Sequence, residues 1–235
     1  MAPTSSTATL PPAKSRTTGP SAWYRLQGAF RRRQILLATG VEVTAPEIDD
    51  LDRAVAQGLV RYCPVCDGYE AIDARVGVLG GREGFIAAAH FLRTFSSDVT
   101  FVRTIDAPEL SVEEAERVSR AGIRLETRAC IGLAIQDRKI HMRHPSGEAS
   151  CFDTVYPCLG TRPRSELVAS LGAQVSVQDE LVTDAHYATR ILGLYAVGDV
   201  LRGLDQIASL RWPLRAPAGA ETVPVSGQPS EARPR

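Results

Sequence analysis

Residues 75–102 constrain the fold more than any other part of the chain. The segment begins with "RVGVLGG", a short apolar run closed by glycines, and continues with "FIAAAHFLRTF", in which apolar residues recur at helical spacing. The strand-like run "DVTFV" follows. A strand, a helix and a second strand in this order form a βαβ unit, whose two strands lie parallel in one sheet. The sequence therefore predicts an α/β fold.

The glycines at the end of the first strand stand where α/β proteins bind dinucleotides. Glycine lets the backbone approach a pyrophosphate, and the following helix offers free N–H groups. The fingerprint G-x-G-x-x-G/A, counted from Gly80, needs small residues at the positions that hold Arg82 and Phe85. The pattern therefore leaves two interpretations open, a nucleotide site and an ordinary strand-to-helix turn.

The α/β pattern continues beyond this unit. "VEEAERVSRAG" has helical spacing and leads to the short strand "IRLE". "KIHMRH" and "SCFDTVYPCLG" flank the turn "PSGE", which predicts a small antiparallel element that returns to the main sheet. Ahead of the βαβ unit, "ILLATG" at residues 35–40 is a further short strand closed by glycine.

The stretch "RYCPVCDGYE" places Cys63 and Cys66 three positions apart. Two such thiols at a helix start form a small disulfide ring, and the helix dipole can lower the pKa of the first thiol so that it attacks as a thiolate. The rival interpretation is half of a zinc site, which needs four ligands. The other half would be His141 and His144, whose spacing is tighter than usual, so redox chemistry is the favoured interpretation.

Composition narrows the class of protein. Of the 235 residues 44% are hydrophobic, and 27 basic residues balance 27 acidic ones, so no net charge draws the chain to nucleic acid or to a membrane surface. The 5 cysteines are an odd number at uneven spacings, which favours a reducing compartment, the cytoplasm, and a core role for Cys130, Cys151 and Cys158. Residues 1–34 and 208–235 are predicted to be disordered.

Motifs in "LLATG", "CPVCDG", "VGVLGGREG", "AHFLRTFSSDVTFV" and "GLYAVGDVLRGLDQI" resemble, in this order, those of the thioredoxin reductases and their relatives. These are FAD-dependent pyridine nucleotide-disulfide oxidoreductases of class II, and the resemblance covers residues 35–207. It implies a Rossmann-like three-layer NAD(P)-binding domain at 47–152, which carries the redox pair. That domain is inserted into a partial FAD-binding domain made of residues 35–46 and 153–207.

The resemblance also implies an activity. Electrons would pass from NADPH or NADH to FAD, then to the cysteine pair, and on to a thioredoxin-like protein or a small-molecule disulfide. By motif position, Cys63 attacks the substrate disulfide, Cys66 faces the flavin, and Asp67 is the acid that protonates the leaving thiolate. Relatives of this kind are usually homodimers.

Cofactor contacts carry over in the same way. The flavin would contact Thr39, Gly40, Gly160, Gly198, Asp199, Gln206 and Ile207. The nicotinamide nucleotide would contact Gly80, Gly81, Gly84 and Arg103. Where the family often has His-Arg-Arg for the 2′-phosphate, this chain has Arg103 alone, which favours NADPH only weakly over NADH. No metal site is expected.

The chain departs from the family at both ends. Only 34 residues precede "ILLATG", where a nucleotide-binding half needs about a hundred, and the sequence after "LDQI" is also different. We therefore expect this chain alone to bind FAD weakly or not at all. A second function stays open, that of a degenerate truncated relative without flavin turnover, at most a thiol-disulfide binding module.

Overall fold

The computed structural model of this chain describes residues 34–81 and 84–203, which form two compact units. The central unit is Val43–Thr161, and the flanking unit joins residues 34–42 to residues 162–203. The family resemblance predicts domain boundaries at 46/47 and 152/153, and these stay a prediction. Residues 154–158 form a strand that pairs inside the central unit.

Short strands and helices alternate along the described residues. The strands are β1 Ile35–Leu37, β2 Val41–Val43, β3 Val76–Gly80, β4 Val99–Thr104, β5 Arg124–Cys130, β6 Gly132–Gln136, β7 Lys139–Arg143, β8 Ala149–Phe152, β9 Thr154–Cys158, β10 Thr161–Pro163 and β11 Leu194–Ala196. The helices are α1 Leu51–Ala56, α2 Pro64–Asp67, α3 Phe85–Leu92, α4 Val112–Arg120 and α5 Glu166–Ala169, with a 3₁₀ turn at Gly68–Ala71. In this part of the chain no helix is both long enough and apolar enough to span a bilayer.

A parallel sheet in the order β5-β4-β3-β9 forms the middle of the central unit. Helix α3 connects β3 to β4, so the βαβ unit expected within residues 75–102 is confirmed. Every residue of β3 is buried, as expected for a parallel strand that is covered on both faces. The predicted second helix is α4, which begins with a capping box formed by Ser111 and Glu114.

Each face of this sheet packs against a different layer. On one face, Val78 and Phe101 pack against Phe85 and Leu92 of α3. On the other face, one cluster joins the sheet to α1 and to an antiparallel sheet; its members include Ala54, Leu79, Val102, Leu133, Ile140, Met142, Phe152 and Val155. The α/β class expected from the sequence is therefore confirmed.

The antiparallel sheet is the element predicted around "PSGE". Its strands run in the order β6-β7-β8, with Ile140 of β7 opposite Phe152 of β8. The chain then returns to the parallel sheet as β9, beside β3. In the flanking unit β1 and β11 lie parallel, with Leu37 opposite Ala196.

Glu126 of β5 links the parallel sheet to the antiparallel one. Its carboxylate accepts hydrogen bonds from Arg128 Nη2 at 2.8 Å and from Ser150 Oγ at 3.0 Å. The bond from Arg128 is the largest influence, and together these contacts outweigh partial burial and lower the pKa of Glu126 from 4.5 to about 2. The carboxylate therefore stabilises the fold only while it is ionised.

We expect Glu126→Gln to remove part of the pH-dependent stability of the chain. Because the folded-state pKa is depressed, the contribution of this carboxylate is fully present above pH 4.5 and is lost as pH falls toward about 2. The amide does not titrate, so the variant should be less stable at neutral pH and should lose less stability across that window. Urea unfolding at a series of pH values measures this. The same pH dependence in both proteins would contradict it.

Candidate redox site

Cys63 and Cys66 form a disulfide in the structure, with their Cα atoms 5.2 Å apart. Helix α2 begins directly after Cys63, with Pro64 as its first residue, a position that suits the fixed φ of proline. The Cys66 N–H donates to the Cys63 carbonyl at 2.9 Å. The sequence prediction that the two cysteines meet at a helix start is confirmed. However, α2 is one turn long, so its dipole is smaller than that of a full helix.

The redox pair is accessible to solvent. Cys63 is half-buried and Cys66 is exposed. Val65, between them, is 67% exposed. A disulfide in solution can therefore reach this turn, and Cys66 is the more exposed residue of the pair.

Strand β9 holds the segment that leads into the redox pair. The Arg61 N–H donates to the Val155 carbonyl at 2.9 Å, and the Val155 N–H donates to the Leu59 carbonyl at 2.8 Å. The Thr154 hydroxyl donates to the Gly58 carbonyl at 2.9 Å. This backbone pairing fixes the approach of the chain to Cys63 from the side of the sheet.

Asp67, the last residue of α2, contacts two further polar side chains. The Tyr156 hydroxyl donates to Asp67 Oδ1 at 2.9 Å, and Arg61 Nη1 lies 3.3 Å from Asp67 Oδ2. Arg61 also pairs with Glu70 at 2.8 Å. Burial and then the bond to Asp67 raise the pKa of Tyr156, so its hydroxyl keeps its proton and acts as a donor. Burial opposes the charge of Arg61, but pairing with Glu70 and Asp67 raises its pKa overall.

Sequence reasoning missed Arg61 and Tyr156. Arg61 stands two positions before Cys63, and Asp67 directly follows Cys66. A basic and an acidic residue on either side of the cysteine pair were the available signal. Tyr156 is 89 residues from Asp67 in the chain, so no local pattern connects them. Its one signal is a tyrosine within the otherwise hydroxyl-poor run "VYPCL", since a buried tyrosine usually needs a partner for its hydroxyl.

The turn between β3 and α3 has glycines where packing or the backbone leaves no room for another residue type. A side chain at Gly80 would lie 2.8 Å from Phe85 Cβ, and one at Gly81 would overlap Ala107 Cβ. Gly84 has φ +100 with open space where a Cβ would be, and no side chain caps the N–H groups at the start of α3. The ring of Phe85 points into the core and stacks on Phe101. Arg82, the other residue that departs from the fingerprint, lies outside the described residues.

Arg103 is brought to this turn by the sheet, where it stands opposite Gly80 in the register of β3 and β4. Its Nη1 donates to the Ala107 carbonyl at 3.2 Å, and its Nη2 lies 3.8 Å from Glu109. The guanidinium therefore has one backbone carbonyl and one acidic side chain as neighbours.

The predicted flavin contacts lie in different parts of the chain. Thr39 and Gly40 follow β1, and Gly198 and Asp199 follow β11, so all four stand at the carboxyl edge of a parallel strand pair, where α/β proteins bind ligands. Gly198 has φ +80, which favours glycine. Gly160 belongs to the central unit. Gln206 and Ile207 lie outside the described residues.

The remaining cysteines and the histidine pair stand apart from the disulfide. Cys130 is buried, and Cys151 and Cys158 are half-buried. Burial raises the pKa of Cys130 and that of Cys158, the latter to about 11, so these two thiols keep their protons near neutral pH. His144 bonds to the Ala129 carbonyl and to Ser150. Within residues 34–81 and 84–203, no group of three or more His, Cys, Asp or Glu side chains is arranged to hold a metal ion.

Two of the curated proteins that are similar to this chain are named thioredoxin reductase. The thioredoxin reductase of Mycoplasma genitalium is 24% identical over 174 residues, which is 71% of this chain and 55% of that protein. The thioredoxin reductase of Mycolicibacterium smegmatis is 29% identical over 181 residues, 72% of this chain and 56% of that protein. The chain thus spans about half the length of these curated relatives.

Two solved structures share the fold of this chain. The crystal structure of HlmI is 27% identical, with a TM-score of 0.64 over 74% of this chain and 54% of that one. The thioredoxin reductase from Streptococcus pyogenes is 23% identical, with a TM-score of 0.69 over 80% of this chain and 63% of that one.

The family described as "Pyridine nucleotide-disulphide oxidoreductase" matches residues 27–218, which is most of the chain. With a cysteine disulfide at a helix start, a parallel α/β sheet and a glycine turn at its edge, the chain belongs to the pyridine nucleotide-disulphide oxidoreductase family.

Proposed function

We propose that this chain is a thioredoxin reductase-like oxidoreductase. It would pass electrons from NADPH or NADH, with FAD, through the Cys63–Cys66 disulfide to a thioredoxin-like protein or a small-molecule disulfide. The observation that carries the proposal is the accessible disulfide at the start of α2 in a member of this family. Relatives named thioredoxin reductase support a protein disulfide as the partner.

The chemistry at the cysteines follows from thiol exchange. The reduced Cys63 thiolate attacks one sulfur of the substrate disulfide, a new S–S bond forms, and the other substrate sulfur leaves as a thiolate. Asp67 supplies the proton for that leaving group. The Cys66 thiolate then attacks Cys63, restores the protein disulfide and releases the second substrate thiol. Two electrons pass from the protein dithiol to the substrate.

The nucleotide sites divide between the two units. The turn of Gly80, Gly81 and Gly84 would hold the pyrophosphate of NAD(P)H, with Arg103 beside its ribose. Residues after β1 and β11 would contact the flavin. When bound, the flavin would relay electrons between the nicotinamide and the disulfide. Under this proposal residues 47–152 are the inserted NAD(P)-binding domain, the protein acts in the cytoplasm, and a homodimer is the expected assembly.

The direct test follows the disulfide itself. Purified oxidised chain is incubated without oxygen with excess FAD and with NADPH or NADH, then alkylated and digested with trypsin. The peptide of residues 62–75 reports whether the pair is oxidised or reduced. Reduction that needs both flavin and nucleotide supports the proposal, and a disulfide that only dithiothreitol reduces argues for the thiol-disulfide binding module. An absorption spectrum before and after NADPH shows whether flavin stays bound.

We expect Arg103 to decide between the two nicotinamide cofactors. Arg103→Ala should weaken NADPH binding about tenfold and leave NADH binding nearly unchanged, because one charge-assisted hydrogen bond contributes about 1.5 kcal/mol. Glu109→Gln should have the opposite effect. It removes the carboxylate that lies beside the Arg103 guanidinium and should therefore tighten NADPH binding. Titration of the nicotinamide fluorescence measures both. Equal changes for NADPH and NADH in either variant would contradict this role.

A further inference from the structure

We propose that Tyr156 is a positioning residue for proton transfer at the redox pair. Through its hydrogen bond to Oδ1, Tyr156 fixes the orientation of the Asp67 carboxyl beside the redox pair. This inference rests on the proposed function, in which Asp67 protonates the leaving thiolate. It adds a residue from a distant strand to the chemistry of the cysteine turn.

The local structure of Asp67 explains why a second residue is needed. Asp67 ends a helix of one turn that contains no buried residue, and a glycine follows it. A helix of one turn is only marginally stable by itself, so α2 alone restrains the Asp67 side chain weakly. Tyr156, in contrast, lies in the middle of β9, where its partner across the sheet is Val78 of β3. The sheet therefore provides the rigidity that α2 lacks.

The burial of Tyr156 shows that its hydroxyl is held in place. Tyr156 is 0% exposed and belongs to the cluster that includes Val78, Phe85 and Phe101. A ring packed in this way cannot swing its hydroxyl away from Asp67 without disturbing the core. Phenylalanine would fill the same volume, so what the hydroxyl adds at this position is the bond to Asp67.

The two neighbours of Asp67 act on different oxygens. A tyrosine hydroxyl can donate to Oδ1 whether the carboxyl is charged or neutral, so this bond persists through a proton-transfer cycle. Arg61 lies 3.3 Å from Oδ2 but 2.8 Å from Glu70, so its contact with Asp67 is the looser of the two. The bond from Tyr156 is therefore the contact that sets the orientation of the Asp67 carboxyl.

The test compares two substrates with different leaving groups. The reduced full chain reacts either with dithiodipyridine, whose leaving group departs without a proton on sulfur, or with hydroxyethyl disulfide, whose aliphatic thiolate needs one. The rate is read as disulfide formed in the peptide of residues 62–75 after quenching with iodoacetamide. A variant that loses acid catalysis slows only the reaction with hydroxyethyl disulfide, whereas a purely structural effect slows both reactions.

With hydroxyethyl disulfide we expect Tyr156→Phe to slow the reaction about tenfold and Asp67→Asn about a hundredfold. With dithiodipyridine both variants should match the wild type. Because Tyr156 acts through Asp67, the double variant should be no slower than Asp67→Asn alone. Circular dichroism and urea midpoints verify that Tyr156→Phe is folded.

The test separates failure of the proposed function from failure of the positioning role of Tyr156. If the wild type oxidises its pair with neither substrate, the proposed function fails and this inference fails with it. If the wild type reacts with both and Tyr156→Phe keeps the wild-type rate on hydroxyethyl disulfide, or slows equally on both, the positioning role alone is overturned. Additive losses in the double variant would also overturn it.

Discussion

Replacing Cys66 with serine should turn Cys63 into a trap for substrate. In the Cys66→Ser variant no neighbouring thiol remains to resolve the mixed disulfide, so an aromatic disulfide should leave a stable adduct on Cys63. In Cys63→Ser the remaining thiol is the partner expected to face the flavin, and it should carry no adduct. Mass spectrometry of the peptide of residues 62–75 after incubation measures both, and the expected difference is close to all or none.

This experiment decides whether Cys63 or Cys66 is the thiol that reacts with substrate. The family resemblance makes Cys63 the outer thiol, whereas Cys66 is the more exposed residue of the pair. An adduct on Cys66 and none on Cys63 would reverse the roles, and equal labelling of both variants would remove the assignment. The peptides that contain Cys130 and Cys158 serve as internal controls, because burial raises the pKa of both thiols and should keep them unlabelled.

Phe101→Ala should be among the most destabilising single substitutions in the central unit. Its ring is 0% exposed and stacks on Phe85 with the ring centroids 4.2 Å apart. Removing it leaves a cavity between β4 and the first residue of α3, which should lower the free energy of unfolding by about 3–5 kcal/mol. Urea denaturation followed by circular dichroism gives this value. The same cavity loosens the glycine turn that precedes α3, so nucleotide affinity should fall as well.

Phe91→Ala is the matched control for this substitution. Phe91 lies on α3 but is 38% exposed and meets Phe95 edge-on at 5.5 Å. Its loss should cost about 1 kcal/mol, as for most substitutions outside a tightly packed core. Similar costs for the two substitutions would mean that the stacked pair does not anchor α3 on the sheet.

The elements that the sequence predicted correctly are those with a local signal. The run of buried residues in β3, the helical spacing of α3 and the turn after β7 are each encoded within about a dozen residues. The cysteine pair belongs to the same class, since three positions at a helix start set its geometry. Hydrophobic period and turn chemistry suffice for such features.

Features that depend on tertiary contacts were missed or misjudged. Phe85 looks like an obstacle in the phosphate fingerprint, yet its ring turns toward the sheet because Phe101 offers it a stacking partner. Residues 154–158 complete the parallel sheet beside β3, a pairing with no local signature. Tyr156 and Arg61 both contact Asp67 in the folded chain, and no sequence pattern connects Tyr156 with the other two.

Strand β9 bonds to the segment that leads into Cys63, but β9 is made much later than that segment. During synthesis Cys63 and Cys66 leave the ribosome long before Tyr156, which is 89 residues beyond Asp67. Contacts of such long sequence separation form late, since the loop between them must close first. The hydrogen bonds that β9 makes to residues 58–61 therefore form after both cysteines have been made. We expect a completed β9 to be required for refolding this unit in good yield.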